Sequence, residues 1–330
     1  MRLGVITILF LLSMAAEPCH AQRVMTAEEA ARSTGGRMHI YEGIYRDGHP
    51  DMISMNVTGA VSVDESRFVV KYDADIRLDT LSTERLKDQV LTLIGHKYYH
   101  SFGLWFWRES LSSAVYYGKD KSEKAYFETL LKDFGDKPRT YSRMIGWFVY
   151  RDIDTKSILN RHGLPLRRNT IEYSEAQAEM TWTVWEETKE ILGYECQKAE
   201  TDFRGRHWVV WFTPEVAVDC GFWKFSGLPG LIMEAESADD FYRYTAVSIE
   251  NKVMGIQMYP KSATQRLSRE KFRKTESAIY ANPITGSVFY QENGQDYIMG
   301  THGNSEFDES SYMIFTPNNY LGLYFPMELE

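Results

Sequence analysis

The sequence predicts an α+β protein dominated by antiparallel β-sheet, curved, with a few helices. Three observations carry that prediction. Aromatic residues make up 14% of the 330 residues, with 21 Tyr, 17 Phe and 8 Trp, and aromatic side chains suit pleated surfaces. From Met180 to Glu250 one alternating segment follows another. Helix signals are confined to a few short stretches.

In chain order, "TAEEAARS" at 26–33 reads as a short helix with Thr26 as cap and Glu29 completing a capping box. The stretch from Met52 to Asp79 has strand character, with Phe68, Val70, Tyr72 and Ala74 alternating. Residues 81–102 fit two patterns: a helical face through Leu86, Val90, Leu93 and Ile94, or a hairpin turning at Gly95. The clearest helix lies within 119–138. Asp120 or Ser122 caps it, Phe127, Leu130, Leu131 and Phe134 share a face, and Gly135 and Pro138 end it. Strand character returns over 139–154. Arg204-Gly205-Arg206 forms a hairpin tip. In the strand after it, both the Trp208, Val210, Phe212 set and the Val209, Trp211 set are apolar, which predicts cover on both faces. A late helix starts after Ser268 and stops before Pro283.

The length suffices for a sizeable core. No repeat, low-complexity linker or clear boundary divides it, so residues 22–330 read as one domain. A net charge of −9 and a pI near 5.5 argue against nucleic-acid binding. The opening residues 1–21 read as a secretory signal peptide: Arg2, a short apolar run from Val5 to Leu12, then small residues up to Ala21. A second reading makes the run an N-terminal strand. Pro18 before Cys19 speaks against a lipid-anchor box. No later apolar run is long enough to span a bilayer. Removal of the leader leaves Cys196 and Cys220. In an exported protein two cysteines are expected to form one disulfide, the other reading being two buried free thiols.

A search for chemistry finds little. There is no G-x-S-x-G elbow, no H-E-x-x-H, no Walker loop and no dinucleotide fingerprint. His96 and His100 are spaced for a metal only on a helix. The pairs Glu186-Glu187 and Asp239-Asp240 read as solvated strand ends. No catalytic residue, cofactor or metal is assigned. Arg204 and Arg206 flank an exposed turn and are candidates to hold a partner's carboxylate or phosphate. The favoured reading is that they pair with local acids or keep a sheet edge soluble.

The stretch "KFSGLPGLIMEAE" at 224–236 is dense in glycine and proline. Leu228-Pro229-Gly230-Leu231 fits a type II turn, with Pro229 presetting φ and Gly230 supplying a positive φ. Gly227 allows close backbone approach. Leu231, Met233 and Ala235 then alternate as a strand. None of Gly227, Leu228, Pro229, Gly230, Leu231 and Ile232 carries a side chain able to move a proton or bind a metal, so the phrase reads as a structural turn.

With its surroundings, this phrase resembles the GLPGLI family of exported proteins of Bacteroidota, a family of unknown function. "GYECQKAETDFRGRHWVVWFT" at 193–213 and "CGFWKFSGLPGLI" at 220–232 carry the likeness, which is specific over 180–250. Phe222 stands where the family often has proline. The resemblance implies a periplasmic or outer-membrane-facing protein of a Gram-negative bacterium and supplies no catalytic residues. The expected role is a non-enzymatic binding or accessory protein for a peptide, lipid or envelope protein. Arg204, Arg206, Trp223 and Lys224 are its candidate partner-binding residues. The alternatives are a periplasmic hydrolase with an unrecognised Asp, Glu or His site, and a structural envelope protein.

Overall fold

The computed structural model describes residues 7–10, 23–26, 55, 57–77, 85–135, 145–163, 170–260, 264–281, 288–292, 295–301, 312–315 and 327–329. The chain divides into two compact units, one of 1–49 with 278–323 and one of 50–277 with 324–330.

The first unit carries β1 (Thr7–Phe10) and β2 (Arg23–Thr26), and late in the chain β16 (Val288–Glu292), β17 (Gln295–Thr301) and β18 (Tyr312–Phe315). These form a five-stranded antiparallel sheet in the order β18-β17-β16-β1-β2. Thr7–Phe10 falls inside the expected leader; in this chain these four residues are a strand. The rest of that stretch lies outside the described residues. So does the helix expected over 26–33, apart from Thr26, which ends β2.

The second unit is built on one sheet of thirteen strands. In chain order they are β3 (Val61–Arg77), β4 (Arg85–Gly95), β5 (Tyr98–Gly103), β6 (Trp147–Asp152), β7 (Ser157–Gly163), β8 (Thr170–Ala176) and β9 (Thr183–Ile191). There follow β10 (Tyr194–Phe203), β11 (Arg206–Thr213), β12 (Leu231–Ser237), β13 (Tyr242–Glu250), β14 (Gly255–Met258) and β15 (Thr264–Arg266). Three helices accompany them: α1 (Leu104–Tyr117), α2 (Lys121–Asp133) and α3 (Arg269–Ala281). The sheet is antiparallel except where β15 joins β8 in parallel. The α+β class and the predominance of antiparallel pairing are therefore as expected.

The order β15-β8-β7-β6-β5-β4-β3-β13-β12-β11-β10-β9 dictates the shape of this sheet. Strands β8 and β9 stand ten steps apart, about 48 Å in a flat sheet at about 4.8 Å per step. Residues 177–182 alone connect them, and that length of chain reaches at most about 25 Å. The sheet must roll until its two ends approach. Arg204, in the β10–β11 turn, confirms this by pairing with Glu175 of β8 at 2.9 Å.

The two faces of the rolled sheet bury different cores. On one side Phe106, Trp107 and Leu111 of α1 and Phe127 and Leu130 of α2 pack on Leu91, Leu93, Phe102 and Phe148. On the other side the segment between β11 and β12 fills the roll. There Phe222, Trp223, Phe225 and Leu228 meet Tyr72, Val149, Trp208 and Tyr244. Phe222, at the position where the family often has proline, lies 4.1 Å from the Tyr244 ring and 5.2 Å from that of Tyr72.

Residues 85–103 form the hairpin and not the helix: Gly95 ends β4 and His96-Lys97 makes the turn. Helix α2 starts as its sequence predicts, with Asp120 accepting from the amides of Ser122 and Glu123. Ser268 accepts from the Lys271 amide at 3.3 Å and opens α3. Helix α1 carries no such signal: Gly103 caps it without a side-chain bond, and "LWFW" is apolar all round. The cover expected on both faces of β11 is also corrected. Trp208, Val210 and Phe212 are buried, while Val209 and Trp211 are half-buried. A lysine stem replaces a second layer, the Lys189 Nζ lying 4.3 Å from the Trp211 ring.

His100 of β5 is sealed in the helix-side core, 3.8 Å from the parallel Tyr150 ring. Its Nδ1 lies 3.2 Å from the Val149 carbonyl, which can only accept, so Nδ1 carries the proton and donates. Burial pushes the imidazole down to about 3. The unfolded chain then binds a proton near pH 6.5 that the folded chain refuses, so stability falls as pH drops from about 6.5 toward 3. Denaturant melts between pH 7 and 4 are expected to show this loss, and His100→Phe is expected to remove the part that begins above pH 5.

Candidate functional site

The phrase noted in the sequence becomes a plug. After β11 the chain folds back on itself: the Leu231 amide donates to the Val216 carbonyl at 3.0 Å and the Ile232 amide to that of Cys220 at 2.9 Å. Between them Trp223 takes φ of +53°, a left-handed conformation that is strained for so large a residue. It is held there by its amide, which donates to Ser101 Oγ at 3.0 Å. Its ring packs on Phe203, Trp208 and Phe225. The kink aims Lys224 into the protein.

The glycine roles expected for the turn are exchanged. Gly227, not Gly230, has the positive φ, +96°. Gly230 lies outside the left-handed region and is needed for space: a Cβ there would stand 2.1 Å from the Thr213 carbonyl oxygen. A type II turn centred on Pro229-Gly230 is therefore not formed. Side-chain ties add to the backbone bonds of the plug. Asp219 accepts from the Gly227 amide. Trp182 donates to the Ser226 carbonyl at 2.9 Å, and Gln177 to Ser226 Oγ at 2.9 Å.

Lys224 is fully buried at the centre of an ion cluster. Its ammonium contacts Tyr173 Oη and Glu328 Oε1, and lies 2.7 Å from Glu175 Oε1. Arg269 at the start of α3 reaches Glu328 Oε2 with two nitrogens, at 3.0 and 2.5 Å. Arg204 holds the other oxygen of Glu175. Burial alone would lower the Lys224 pKa and raise that of Glu328. The cluster overcomes both effects: Tyr173, Glu328 and Glu175 hold Lys224 above its usual range, and Lys224 with Arg269 holds Glu328 below the usual carboxylate range. Both groups are charged at neutral pH.

The four residues expected to meet a partner are thus turned inward. Trp223 and Lys224 are buried in the plug. Arg204 pairs with Glu175, and Arg206 is buried against Asp239 under the rings of Phe241 and Tyr242. Pairing with acids was the favoured reading of the two arginines, but their acids are not local in sequence. Asp239 is exposed just past the end of β12, as expected of a solvated strand end, and also pairs with Arg206. Tyr173, Glu175, Arg269 and Glu328 escaped the sequence reading. Glu328 is 104 residues from Lys224, and no motif marks any of the four.

The cysteines also require correction. Cys196 and Cys220 are free and buried. Cys196 lies on β10 opposite Lys189, while Cys220 bridges to Leu231 of β12. The two are about 14 Å apart along the sheet, three steps, and bridging requires Cα atoms within about 7 Å. Burial pushes the thiols up to about 11 and about 12, so neither is a ready nucleophile. Alkylation of the unfolded chain without reductant is expected to label both.

The histidines stay apart. His96 is exposed in the β4–β5 turn and His100 is buried. His207 lies on the outer face, its Nδ1 2.9 Å from Asp202. His162 pairs with Glu276 of α3. No metal-binding group of side chains occurs among the described residues, and no helix among them is long and apolar enough to cross a membrane.

The outer face at the β9 end is different in character. Between Gln197 and Ala199 the register with β9 shifts, leaving Trp185, Glu186 and Glu187 in a bulge. Gln197 Nε2 donates to the Trp185 carbonyl at 2.8 Å and fixes it. Val184 and Trp185 are 47% and 44% exposed. Such a bulge, flanked by glutamates, blocks strand addition and re-aims a side chain.

Residues 167–271 match the family described as N-glycanase peptide, N-terminal domain. That stretch runs through β8–β13 to the start of α3 and includes the plug and the bulge. No curated protein matches. Similar solved structures include two of PNGF-II. PNGF-II in space group C2 shares 13% identity over 64% of this chain and 32% of its own, with a TM-score of 0.40. PNGF-II in space group P21 shares 14% over 65% and 33%, with a TM-score of 0.39. The chain spans about a third of the length of those proteins.

Proposed function

We propose that this chain is an exported, non-catalytic binding or accessory protein of the GLPGLI family, with an envelope protein or peptide as partner. Its setting is the periplasm or the outer-membrane-facing side of a Gram-negative bacterium. The observation that carries the reading is the contrast between two regions. Lys224, Arg206 and the two thiols are buried, while Trp185 and Val184 stand in solvent on a bulge fixed by Gln197. Tryptophan presented on a rigid element is the residue type most often found anchoring an interface. The bulge prevents the partner from adding a strand, so recognition runs through side chains.

Affinity capture from envelope extract tests this. The mature chain is expected to recover a specific protein, and Trp185→Ala with Val184→Ser to weaken that capture about 30-fold, the size of a single interface anchor. Recovery of nothing specific, or equal recovery by the variant, contradicts the reading. A second reading, that the partner is glycosylated, draws on the match of 167–271 to the N-terminal domain of an N-glycanase. Loss of capture after enzymatic removal of N-glycans from the extract would favour it.

A further inference from the structure

The ion cluster has an occupant that arrives from far along the chain. The second unit is left at Ser277 and re-entered only at Tyr324. Of the returning segment, Met327–Leu329 is described, and each of its residues is gripped. Tyr244 Oη donates to Met327 Sδ at 3.6 Å, and the Met327 side chain is buried among the plug's neighbours. The Glu328 carboxylate sits on Lys224 and Arg269. The backbone is read as well: Arg273 donates to the Glu328 carbonyl at 3.2 Å, and the Leu329 amide donates to the Arg204 carbonyl at 2.8 Å. Apolar anchoring, a carboxylate on two cations and backbone bonds on both sides are the contacts by which proteins hold an acidic peptide.

The charge balance says what the site requires. Lys224, Arg269 and Arg204 face Glu175 and Glu328. Without Glu328 the wholly enclosed Lys224 would keep Glu175 as its one carboxylate partner among the described residues. An uncompensated buried charge is costly, so the vacated site selects an anion, and the Met327 cavity beside it selects a large apolar neighbour.

We propose that this site is a receptor for an acidic peptide segment, filled in cis by Met327–Leu329 and open to a second such peptide in trans. The cis segment holds the advantage because it belongs to the same chain, which makes its binding intramolecular. The site is separate from the Trp185 face, and either proposal can fail without the other.

The test separates folding from binding. A protease site inserted between Leu323 and Tyr324 lets the chain fold with its segment in place and is cut afterwards. Labelled peptide Tyr-Phe-Pro-Met-Glu-Leu-Glu, the sequence of 324–330, is then added in excess. The cut protein is expected to take it up, and the intact chain to take up at least tenfold less. The same peptide with glutamine at the Glu328 position is expected to bind at least about tenfold more weakly, the loss of a charged hydrogen-bond partner. In the uncut chain, Glu328→Gln is expected to raise uptake of the glutamate peptide at least tenfold over wild type. Retention of the original segment against excess peptide overturns the proposal. So do equal binding of the glutamine peptide and unfolding on cutting, which would make the segment part of the core.

Discussion

Replacing Lys224 with methionine is expected to destabilise the second unit by about 3–5 kcal/mol, the usual cost of removing one member of a buried ion pair. For a unit of this size that lowers the melting temperature by roughly 10 °C. Methionine keeps most of the length and apolar volume, so the loss reports the charge. It arises because Glu175 and Glu328 remain enclosed and lose a shared cation. Glu328→Gln in the same chain is expected to recover part of the loss, so that the double variant is less destabilised than the sum of the singles. Thermal melts of the four proteins measure this. An additive pair would mean that Lys224 and Glu328 do not act together.

Gly230→Ala is expected to cost about 3 kcal/mol or more, and Gly227→Ala about 1–2 kcal/mol. A methyl at Gly230 meets backbone: the Thr213 oxygen at 2.1 Å, its carbon at 2.6 Å and the Pro214 Cα at 2.9 Å. Only a shift between the plug and the end of β11 relieves that overlap. A methyl at Gly227 meets the Trp182 ring at 3.1 Å, which can give, and the cost is mainly that of φ +96° for an L-residue. Urea melts of both variants decide the order. The turn read from sequence would reverse it, since a positive φ at Gly230 would make that position the conformational one.

Much of the fold is legible in the sequence because it is written locally. Alternation in β3 and β10–β13 and the caps at Asp120 and Ser268 are short-range signals with direct mechanisms. The start of helix α1 is illegible for the opposite reason: Gly103 offers no capping side chain, and Leu104, Trp105, Phe106 and Trp107 are all buried, so the first turn carries no polar position. The rolling of the sheet follows from pairing order, which sequence spacing does not disclose. The ion cluster is less legible still. Lys224 stands out in its phrase, yet its partners come from β8 and the returning segment, up to 104 residues away. The same distance misleads at the arginine hairpin: Arg206 finds Asp239 at the end of the neighbouring strand β12, and Arg204 finds Glu175 of β8 only once the sheet has rolled. The cysteine pair fails on geometry, because two residues close in sequence and both buried still lie three strands apart.

These observations make the GLPGLI segment part of the packing core of a rolled sheet and not a mobile loop. Amide hydrogen exchange of residues 216–232 in the native protein addresses that division. The amides of Trp223, Leu231 and Ile232, bonded to Ser101, Val216 and Cys220, are expected to exchange only through global unfolding and to be among the slowest in the chain. Fast exchange at these positions in a protein whose β3 and β4 amides stay protected would show a mobile loop and contradict a packed core here.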